Sequence, residues 1–528
     1  MPRYQYQPFD YVTPPELSGE AGARRKIVIV GAGPVGLAAA IDCALHGIEC
    51  VVLDDNDVVS LGSRAICWSK RTLEIMDRLG IGERMVEKGV TWKVGRLFHR
   101  DREVWNFDLL PEPGHKMPAF INLQQYYVEQ YLVERAAEFP DLIDLRWKNR
   151  VTGVEPSADG VRVSVETPDG SYEVETDWLI ACDGARSPVR GMMGLDFAGR
   201  VFEERFLIAD VEMKADFPPE RWFWFEPPFH KGQSALLHKQ PDDIYRIDLQ
   251  LGWDADPEVE KRPENVIPRI EAIVGHRDFT LDWVSVYTFQ CRRLDRFVHG
   301  RVVFAGDSAH IVSPFGARGG NGGIQDVDNL IWKLAMVVKG KAPESLIESY
   351  DEERIHGADE NILNSARATG FMTPKSETER IFRDAVLDLA GEHEFARRLV
   401  NSGRLSRPCS LAGLSLQGQG EGVGQAMSDA PVEGGWLLDN FGGRFAVMAV
   451  EADVPDGLPA EIDRVIVTAD QSRRGNAAVL IDVEGLVAKR YGAGTVWLVR
   501  PDQHLAARFD NPSVAEFVAA YERARGMA

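Results

Sequence analysis

The sequence has 528 residues, of which 60 are basic and 81 acidic, so its formal net charge is −21. A chain of this length is expected to form two to four folding units, and 44% hydrophobic with 27% charged residues is typical of a soluble globular protein. Lysine and arginine form no basic block, so we expect neither a nucleic-acid partner nor an anionic membrane surface.

Six cysteines are scattered along the chain, with no C-x-x-C pair and no metal-like spacing: Cys43, Cys50, Cys67, Cys182, Cys291 and Cys409. We therefore expect reduced thiols and no metal site. The first ten residues lack the apolar core of a signal peptide, and no window reaches the roughly 18 apolar residues of a membrane span. These features predict a cytoplasmic protein.

The chain opens with a Pro-rich polar stretch, residues 1–24, which we expect to form an N-terminal arm. Lys26–Val30 predicts a buried parallel strand, and a helix is predicted from Pro34 to His46. Glu49–Leu53 predicts the next strand, which completes a β-α-β unit. Helices are also predicted over Ser69–Leu79 and 122–138.

The middle of the chain is rich in strand patterns. From Arg146 to Ile180 the pattern predicts strands joined by hairpin turns at Asp159-Gly160 and Asp169-Gly170. Arg205 to Trp253 is also strand-like and contains the aromatic run WFWF at 222–225.

The last third of the chain falls into three segments with different predicted structure. A short strand is predicted at Val302–Ala305, followed by a long helix from about Gly323 and further helices to Asn401. Residues 403–432 are rich in Gly, Ser and Pro, which predicts a linker. Residues 433–528 then predict a separate small α/β domain of strand, helix, two strands, hairpin and final helix.

A Gly-rich motif, GAGPVG, joins the first strand to the first helix. Its glycines, Gly31, Gly33 and Gly36, permit a tight turn, close approach of a pyrophosphate, and close helix–strand packing. The helix N-terminus directs N–H groups at the phosphates. Asp54, with Asp55 beside it, ends the second strand, where a carboxylate can accept hydrogen bonds from an adenosine ribose. The motif predicts a bound dinucleotide without separating NAD from FAD.

Two later strands also end in acidic residues. Asp183-Gly184 could be a plain strand and turn. Gly306-Asp307 runs into the Gly-rich stretch 314–323 and then a helix. A carboxylate at that strand end can hold ribityl hydroxyls, and a Gly-rich helix start can present N–H groups to the O2 and N1 edge of a flavin. The third motif therefore favours a flavin.

In this order and spacing the three motifs resemble the group A flavoprotein monooxygenases, the single-component aromatic hydroxylases of the p-hydroxybenzoate hydroxylase type. The resemblance covers about residues 25–400, and it implies FAD as cofactor with NADPH or NADH as co-substrate. Arg64 matches the family's cofactor arginine, and Gln125 its flavin-contacting glutamine. We expect cofactor contacts from the residues Gly31, Gly33, Gly36, Asp54, Asp55, Arg64, Gln125, Asp183, Gly184, Gly306, Asp307, Pro314, Gly319, Gly320 and Asn321.

The resemblance also implies an architecture. It is greatest to the 3-(3-hydroxyphenyl)propionate hydroxylase and phenol hydroxylase branch, whose C-terminal domain is thioredoxin-like. Here that domain has no cysteine, so thiol–disulfide chemistry is excluded and packing or a homodimer contact is expected. We predict an α/β fold with these parts: a Rossmann-like FAD domain (25–90, 120–200 and 290–400), a mixed β-sheet substrate domain (91–119 and 201–289), the linker, and a thioredoxin-like domain (433–528).

The family mechanism implies that NAD(P)H reduces FAD, that O2 adds to give a C4a-hydroperoxide, and that one oxygen passes to an electron-rich ring. The substrate would be a small phenolic compound. Alternation places Leu236, His238 and Gln240 on one face of a strand, and Arg246, Asp248 and Gln250 on one face of the next. Either these groups orient the phenol, or they form the solvated side of the sheet.

We name His238, Arg246 and Gln240 as candidate catalytic residues, with His238 as the general base. In the p-hydroxybenzoate enzyme an arginine on the matching strand binds the substrate carboxylate, and Gln240 stands at that place here. Trp222, Trp224 and Phe225 are candidate pocket residues, and His310 is expected to be structural or near the flavin. Two alternatives stay open: a flavin-dependent epoxidase or halogenase, and a non-catalytic FAD-binding protein.

Overall fold

The computed structural model describes residues 4–18, 24–62, 64–252, 254–314, 316–400, 407–474 and 477–527. In this part of the chain the strands are, in order, β1 (Arg25–Val30), β2 (Cys50–Leu53), β3 (Cys67–Ser69), β4 (Val90–Trp92), β5 (Val94–His99), β6 (Arg102–Asp108), β7 (Phe120–Asn122), β8 (Ile143–Arg146), β9 (Arg150–Pro156), β10 (Val161–Thr167), β11 (Gly170–Ala181), β12 (Ala198–Glu212), β13 (Arg221–Phe225), β14 (Ser234–Lys239), β15 (Ile244–Leu251), β16 (Thr280–Arg293), β17 (Val298–His299), β18 (Val302–Phe304), β19 (His310–Ile311), β20 (Pro431–Val432), β21 (Gly435–Trp436), β22 (Ala446–Val450), β23 (Asp463–Thr468), β24 (Ala478–Ile481), β25 (Thr495–Val499) and β26 (Leu505–Phe509).

The α-helices of the same part of the chain are α1 (Pro34–Leu45), α2 (Lys70–Arg78), α3 (Gly82–Lys88), α4 (Gln125–Ala136), α5 (Pro188–Met192), α6 (Pro257–Glu260), α7 (Pro263–Val274), α8 (Gly319–Val338), α9 (Glu348–Met372), α10 (Glu377–Ala390), α11 (Glu394–Val400), α12 (Leu486–Tyr491) and α13 (Val514–Ala524). None of these described helices is both long enough and apolar enough to cross a membrane.

The first sheet carries the three motifs. Its strand order is β17-β18-β11-β1-β2-β8, and β1 pairs in parallel with both β2 and β11. The antiparallel strands β9 and β10 extend from β11 as predicted hairpins. Parallel strands covered on both faces are expected to read as continuous apolar runs, and β1 and β2 do so. The carboxyl ends of β1, β2, β11 and β18 therefore meet along one edge.

The second sheet has the order β19-β16-β12-β15-β14-β13-β5-β6. One of its faces packs on α7 through an apolar core that includes Leu207, Leu237 and Ile247. The opposite face carries a second apolar cluster, in which Phe206 and Leu236 pack with residues of α9 and α10. The division into cofactor and substrate domains stays a prediction, but these two sheets draw their strands mainly from the ranges assigned to each.

The third main sheet lies in the C-terminal part, in the order β24-β23-β22-β25-β26. Strand β22 is parallel to β23 and antiparallel to β25, which is the thioredoxin-like arrangement. The helix predicted between the first two strands is wrong, because residues 451–462 form bends and turns. Pro455, Gly457 and Pro459 interrupt that segment, and proline removes the N–H donors that a helix needs.

The predicted linker differs from a free tether. Residues 403–406 lie outside the described residues, but the rest of 403–432 packs on the C-terminal sheet. The Gly418 N–H donates to the Ala506 carbonyl at 2.8 Å, and the Gly424 N–H to the Leu505 carbonyl at 2.7 Å. Val423 and Met427 are buried in its core. The glycines here serve turns with positive φ rather than flexibility.

The predicted N-terminal arm is also docked where it is described, although residues 1–3 and 19–23 lie outside the described part. The Tyr4 ring lies 4.4 Å from that of Tyr126 on α4, and Phe9 stacks on Trp147 at 4.5 Å. Aromatic packing of this kind buries enough surface to hold a polar segment against the domain.

Candidate active site

The first motif forms a closed turn at the end of β1. Gly31 has φ +104°, and a Cβ on it would lie 2.6 Å from the carbonyl oxygen of Cys182. A Cβ on Gly36 would lie 1.9 Å from the carbonyl oxygen of Gly31. Gly33 instead faces open space, with no atom within 4 Å of a Cβ placed there. The turn is therefore packed on its inner side and open at Gly33, where a diphosphate could approach the backbone.

Asp54 lies directly beside this turn. Its Oδ2 accepts a hydrogen bond of 2.6 Å from the Ala32 N–H, and its Oδ1 accepts one of 2.8 Å from the Asn56 N–H. Burial raises the pKa of Asp54 against these hydrogen bonds. The neighbouring Asp55 is exposed and its carboxylate accepts from the Asn56 amide at 2.9 Å. Asp54 is thus fixed at the sheet edge, and Asp55 points to the surface.

The second motif begins where β11 ends. Asp183 Oδ2 accepts from the Val189 N–H at 3.0 Å and so holds the start of α5. Asp183 Oδ1 is buried and accepts no hydrogen bond from the residues that the structure describes. Gly184 follows with φ +79° and open space around it. An unpaired buried oxygen is costly and needs a donor, which a cofactor hydroxyl can supply.

The third motif is held by Asp326 on α8. Asp326 Oδ2 accepts from the Gly306 N–H at 2.9 Å and from His310 Nε2 at 2.6 Å, while Arg354 donates to Oδ1 at 2.7 Å. Arg354 and the hydrogen bonds from His310 and Gly306 hold the pKa of Asp326 well below its usual range despite burial. The adjacent Asp307 is accessible from the cleft although protein surrounds it, and that desolvation raises its pKa.

The Gly-rich stretch places the start of α8 next to the first and third motifs. A Cβ on Gly323 would lie 2.7 Å from Val35 and 3.1 Å from the Cα of Gly306. A Cβ on Gly319 would lie 4.0 Å from Asp307 Oδ1. The helix begins at Gly319, four residues before its predicted start. Its first N–H groups have no intrahelical acceptor and face the edge where the three motifs converge.

Two predicted cofactor residues on this stretch differ in what they offer. Pro314 is exposed. The Asn321 side chain is fully used within the protein: its Oδ1 accepts from the Ser69 N–H at 2.9 Å, and its Nδ2 donates to the carbonyls of Cys67 and Ala317. Only the backbone of Asn321 is left for a cofactor contact. A Cβ placed on Gly320 would lie 3.5 Å from Ala65 and 3.6 Å from Trp68, so the helix start packs on that segment at ordinary contact distance.

A loop over residues 60–65 carries Arg64. Gln125 holds this loop, because its Oε1 accepts from the Ala65 N–H at 3.0 Å and its Nε2 donates to Glu129 at 2.8 Å. The Gln125 side chain therefore positions the loop that carries Arg64, and its contact with a flavin stays a prediction. Arg64 is exposed, and its charge favours the ionised form of Asp307.

The second sheet turns a polar row towards this cleft. In register across four strands lie Arg221, His238, Arg246 and Asp210. We call the face that carries this row the inner face. His238 and Arg246 are each 3% exposed, so this is not the solvated side of the sheet. Arg246 Nη1 donates to the Arg64 carbonyl at 3.1 Å, which ties the inner face to the cofactor loop.

The three candidate catalytic residues have different surroundings. Arg246 forms a two-pronged pair with Asp210, both contacts being 2.8 Å, and Gln240 Nε2 also donates to Asp210 at 3.1 Å. Arg246 and Gln240 are therefore held by Asp210. His238 makes no hydrogen bond to the described residues, and burial with two nearby arginines lowers its pKa well below the usual value. Its imidazole is neutral and open to a ligand.

Of the three aromatic residues predicted to line the pocket, only Phe225 lies on the inner face. Alternation along β13 places Phe223 and Phe225 on the inner face, where they join an apolar cluster with Phe206 and Leu236. Trp222 and Trp224 point to the opposite face, since they pair with Leu237 and Ala235 of the α7-facing core. The inner face is therefore lined by phenylalanines, and the tryptophans lie on the other side of the sheet.

Sequence reasoning missed Asp210, Arg221 and the state of Asp248. Asp248 Oδ1 is buried without a partner, and burial raises the pKa of its carboxyl to about 6. Arg221 precedes the aromatic run in phase with Phe223 and Phe225, a signal that alternation contains. Asp210 sits within a long apolar strand, where a lone acid is a sign of a buried partner.

Comparison with known proteins adds a family to this geometry. The FAD binding domain family matches residues 24–365. A 12-dehydrotetracycline 5-monooxygenase/anhydrotetracycline 6-monooxygenase of Streptomyces rimosus subsp. rimosus is 30% identical, over 91% of this chain and 95% of the relative. A 3-(3-hydroxy-phenyl)propionate/3-hydroxycinnamic acid hydroxylase of Burkholderia cenocepacia (strain HI2424) is 27% identical, over 94% of this chain and 96% of the relative.

Solved structures agree on the fold. The crystal structure of the flavin-dependent monooxygenase PieE in complex with FAD and substrate is similar with a TM-score of 0.78. The match covers 96% of this chain and 100% of that chain at 21% sequence identity. At this identity the likeness extends to the architecture of the chain.

Proposed function

This chain belongs to the FAD-dependent aromatic monooxygenases, and from that premise we propose that it hydroxylates a phenolic ring held between the inner face and the cofactor edge. The observation that carries the proposal is His238. It is a buried, neutral imidazole without a hydrogen-bond partner among the described residues, on the face that looks towards the three cofactor motifs. A polar group buried in this way is stable only if a ligand or water completes it.

The proposed cofactor site uses the converging motifs. The open backbone at Gly33 and the α1 N-terminus would take the diphosphate of FAD, and Asp54 the adenosine ribose. Asp307 would accept from the ribityl hydroxyls, and the N–H groups at the start of α8 would face the flavin ring. The unpaired Asp183 Oδ1 fits a hydroxyl donor. FAD, reduced by NAD(P)H, supplies the dioxygen chemistry of the reaction.

The chain's own contribution is to orient the substrate and accept a proton. We assign His238 Nε2 as the acceptor for the phenol O–H, so that electron density on the ring rises as the proton is drawn away. Phe206, Phe223 and Phe225 would pack on the ring and exclude water. Arg246 and Asp210 would act as positioning residues, because each satisfies the other and together they fix the inner face.

Purified holoenzyme tests this proposal. Candidate phenols should stimulate NAD(P)H oxidation and yield a hydroxylated product, quantified by chromatography. His238→Ala should slow product formation by about 10²- to 10⁴-fold while retaining FAD. Arg162→Ala is the control, because Arg162 is an exposed residue on β10. An unaltered rate in His238→Ala would refute the assigned role, and failure of every phenol to yield product would refute the proposed reaction.

Two further expectations concern the setting of the enzyme. All six cysteines are free thiols, which supports a reducing cytoplasmic compartment. The C-terminal domain without cysteines is expected to support packing and a homodimer, which light scattering of the purified protein would detect.

A further inference from the structure

A second arginine on the inner face, Arg221, has no hydrogen-bond or ion-pair partner among the described residues. Arg221 opens β13 directly opposite His238, which is itself opposite Arg246. Paired residues of antiparallel strands point to the same side, so all three side chains share the inner face. The positive charges of Arg221 and Arg246 both lower the pKa of His238, which places the two guanidinium groups on either side of it.

The two arginines differ in how their charge is met. Arg246 is paired twice with Asp210 and bonded to the Arg64 carbonyl. The Arg221 guanidinium makes neither a hydrogen bond nor an ion pair with the described residues. Its side chain is half-buried, and burial lowers its pKa. Removing a cation from water without a counter-charge is unfavourable, so the charge on Arg221 destabilises the folded protein.

The neighbours of Arg221 do not cancel that charge. Cys67 is near enough for its pKa to respond to Arg221, but it is a neutral thiol, since burial raises the thiol pKa to about 11. Asp248 is near enough to feel both arginines but forms no ion pair with Arg221, and its carboxyl takes up a proton more readily than an ordinary aspartate. Gly95, paired with Arg221 on β5, carries no side chain, and the Phe107 ring covers its Cα, so neither residue supplies a counter-charge.

We propose that Arg221 is an anion subsite of the substrate pocket, and that the aromatic substrate carries a carboxylate or an equally acidic oxygen group that this guanidinium binds. The inference rests on the proposed function, because it places the acidic group next to the ring that His238 contacts. A planar guanidinium with its N–H groups uncommitted matches the two oxygens of a carboxylate. Gln240 cannot take this part, because its amide N–H donates to Asp210. The anion site thus lies three strands away from Asp210, on β13.

A matched pair of probes tests the subsite. Oxidised holoenzyme is titrated with 3-(3-hydroxyphenyl)propionate and with its uncharged amide, and binding is followed by the change in flavin absorbance. The acid should bind about 10- to 100-fold more tightly than the amide. Arg221→Met should abolish that preference, Arg221→Lys should keep part of it, and the exposed control Arg162→Met should keep all of it. Asp248→Asn should strengthen binding of the acid and leave the amide unchanged.

The outcomes separate the inference from the proposed function. Equal binding of acid and amide, binding of neither, or a preference that survives in Arg221→Met would overturn the subsite, even if phenols are hydroxylated. An acid preference that is lost in Arg221→Met without hydroxylated product from any phenol would support the subsite and refute the proposed reaction. FAD content measured in each variant excludes loss of the cofactor as the cause.

Discussion

Lys333 on α8 and Glu353 on α9 form an ion pair of 2.7 Å in which both side chains are completely buried. Arg500 from the end of β25 adds a second cation, 2.6 Å from Glu353 Oε1. The two cations hold the pKa of Glu353 well below its usual range, whereas burial lowers the pKa of Lys333 to about 8. Through this carboxylate the thioredoxin-like domain is fastened to the helix that begins at the cofactor edge.

Glu353→Gln should therefore destabilise the whole protein. It leaves Lys333 and Arg500 buried with too little negative charge, and breaking a buried pair in this way costs about 3–5 kcal/mol. The free energy of unfolding, from urea titration, measures the loss. Glu166→Gln is the control, because Glu166 pairs with Arg150 at an exposed site and such pairs contribute about 0–1 kcal/mol. Equal effects of the two changes would contradict this reading of Glu353.

Acid should destabilise the protein by protonating buried carboxylates that are paired with basic side chains. The pKa values of Glu353 and Asp326 are both depressed in the folded state, so their stabilisation is complete above their unfolded values of about 4. It is lost progressively as the pH falls below that value, because the unfolded chain then binds more protons. In Asp326→Asn the unfolding free energy should fall less steeply between pH 5 and pH 3 than in the unaltered protein.

Asp248 should give stability the opposite dependence on pH, so that the protein becomes less stable as Asp248 ionises. Its pKa is raised to about 6, so between pH 4 and pH 6 the folded state binds more protons and stability falls as the pH rises. Asp248→Asn should remove this dependence and stabilise the protein at pH 7 by on the order of 1–3 kcal/mol. Thermal unfolding of both proteins across pH 4–8 measures it, and a parallel pair of curves would rule it out.

Gly36 and Gly33 form a matched pair in the first motif. Gly36→Ala places a methyl group 1.9 Å from the Gly31 carbonyl oxygen, so the turn must open and stability should fall by several kcal/mol, of the order seen for overpacked cores. Gly33→Ala meets no atom within 4 Å, so the fold should be kept while a bound diphosphate loses its approach. Circular dichroism and flavin content separate the two, and normal FAD content in Gly33→Ala would argue against a diphosphate there.

Asp307 and Asp326 should differ in how they affect FAD. Asp307→Ala removes a proposed direct contact and should weaken FAD binding by about 10- to 100-fold, the value of one hydrogen bond to a charged group. Asp326→Asn loosens the Gly306 turn and should weaken both FAD binding and stability. Flavin content and dissociation constants of the refolded holoenzymes provide the measurement. Unchanged FAD affinity in Asp307→Ala would remove it from the cofactor site.

Much of the fold could be predicted from the three cofactor motifs, because each motif lies within one short segment of the chain. Each is a strand, a turn and a helix within about 20 residues, so spacing alone indicated FAD and the family, and the family match confirms both. The helix predicted after β22 failed, since apolar periodicity outweighed the prolines in its segment. The Gly-rich linker failed for another reason: glycine permits turns as well as flexibility, and the contacts that decide between them come from a different part of the chain.

The sequence by itself determined the cofactor, the α/β class and the absence of redox cysteines from the last domain, because these depend on residue type and on spacing within one segment. Tertiary structure alone decided which face of the second sheet is inward, that Asp210 engages Arg246 and Gln240, and that Arg221 meets no counter-charge in the described part of the chain. Those relations depend on strand register and on burial across four strands. Alternation gives two faces to every strand, but only packing decides that one face is covered by α7 and that the other carries the polar row.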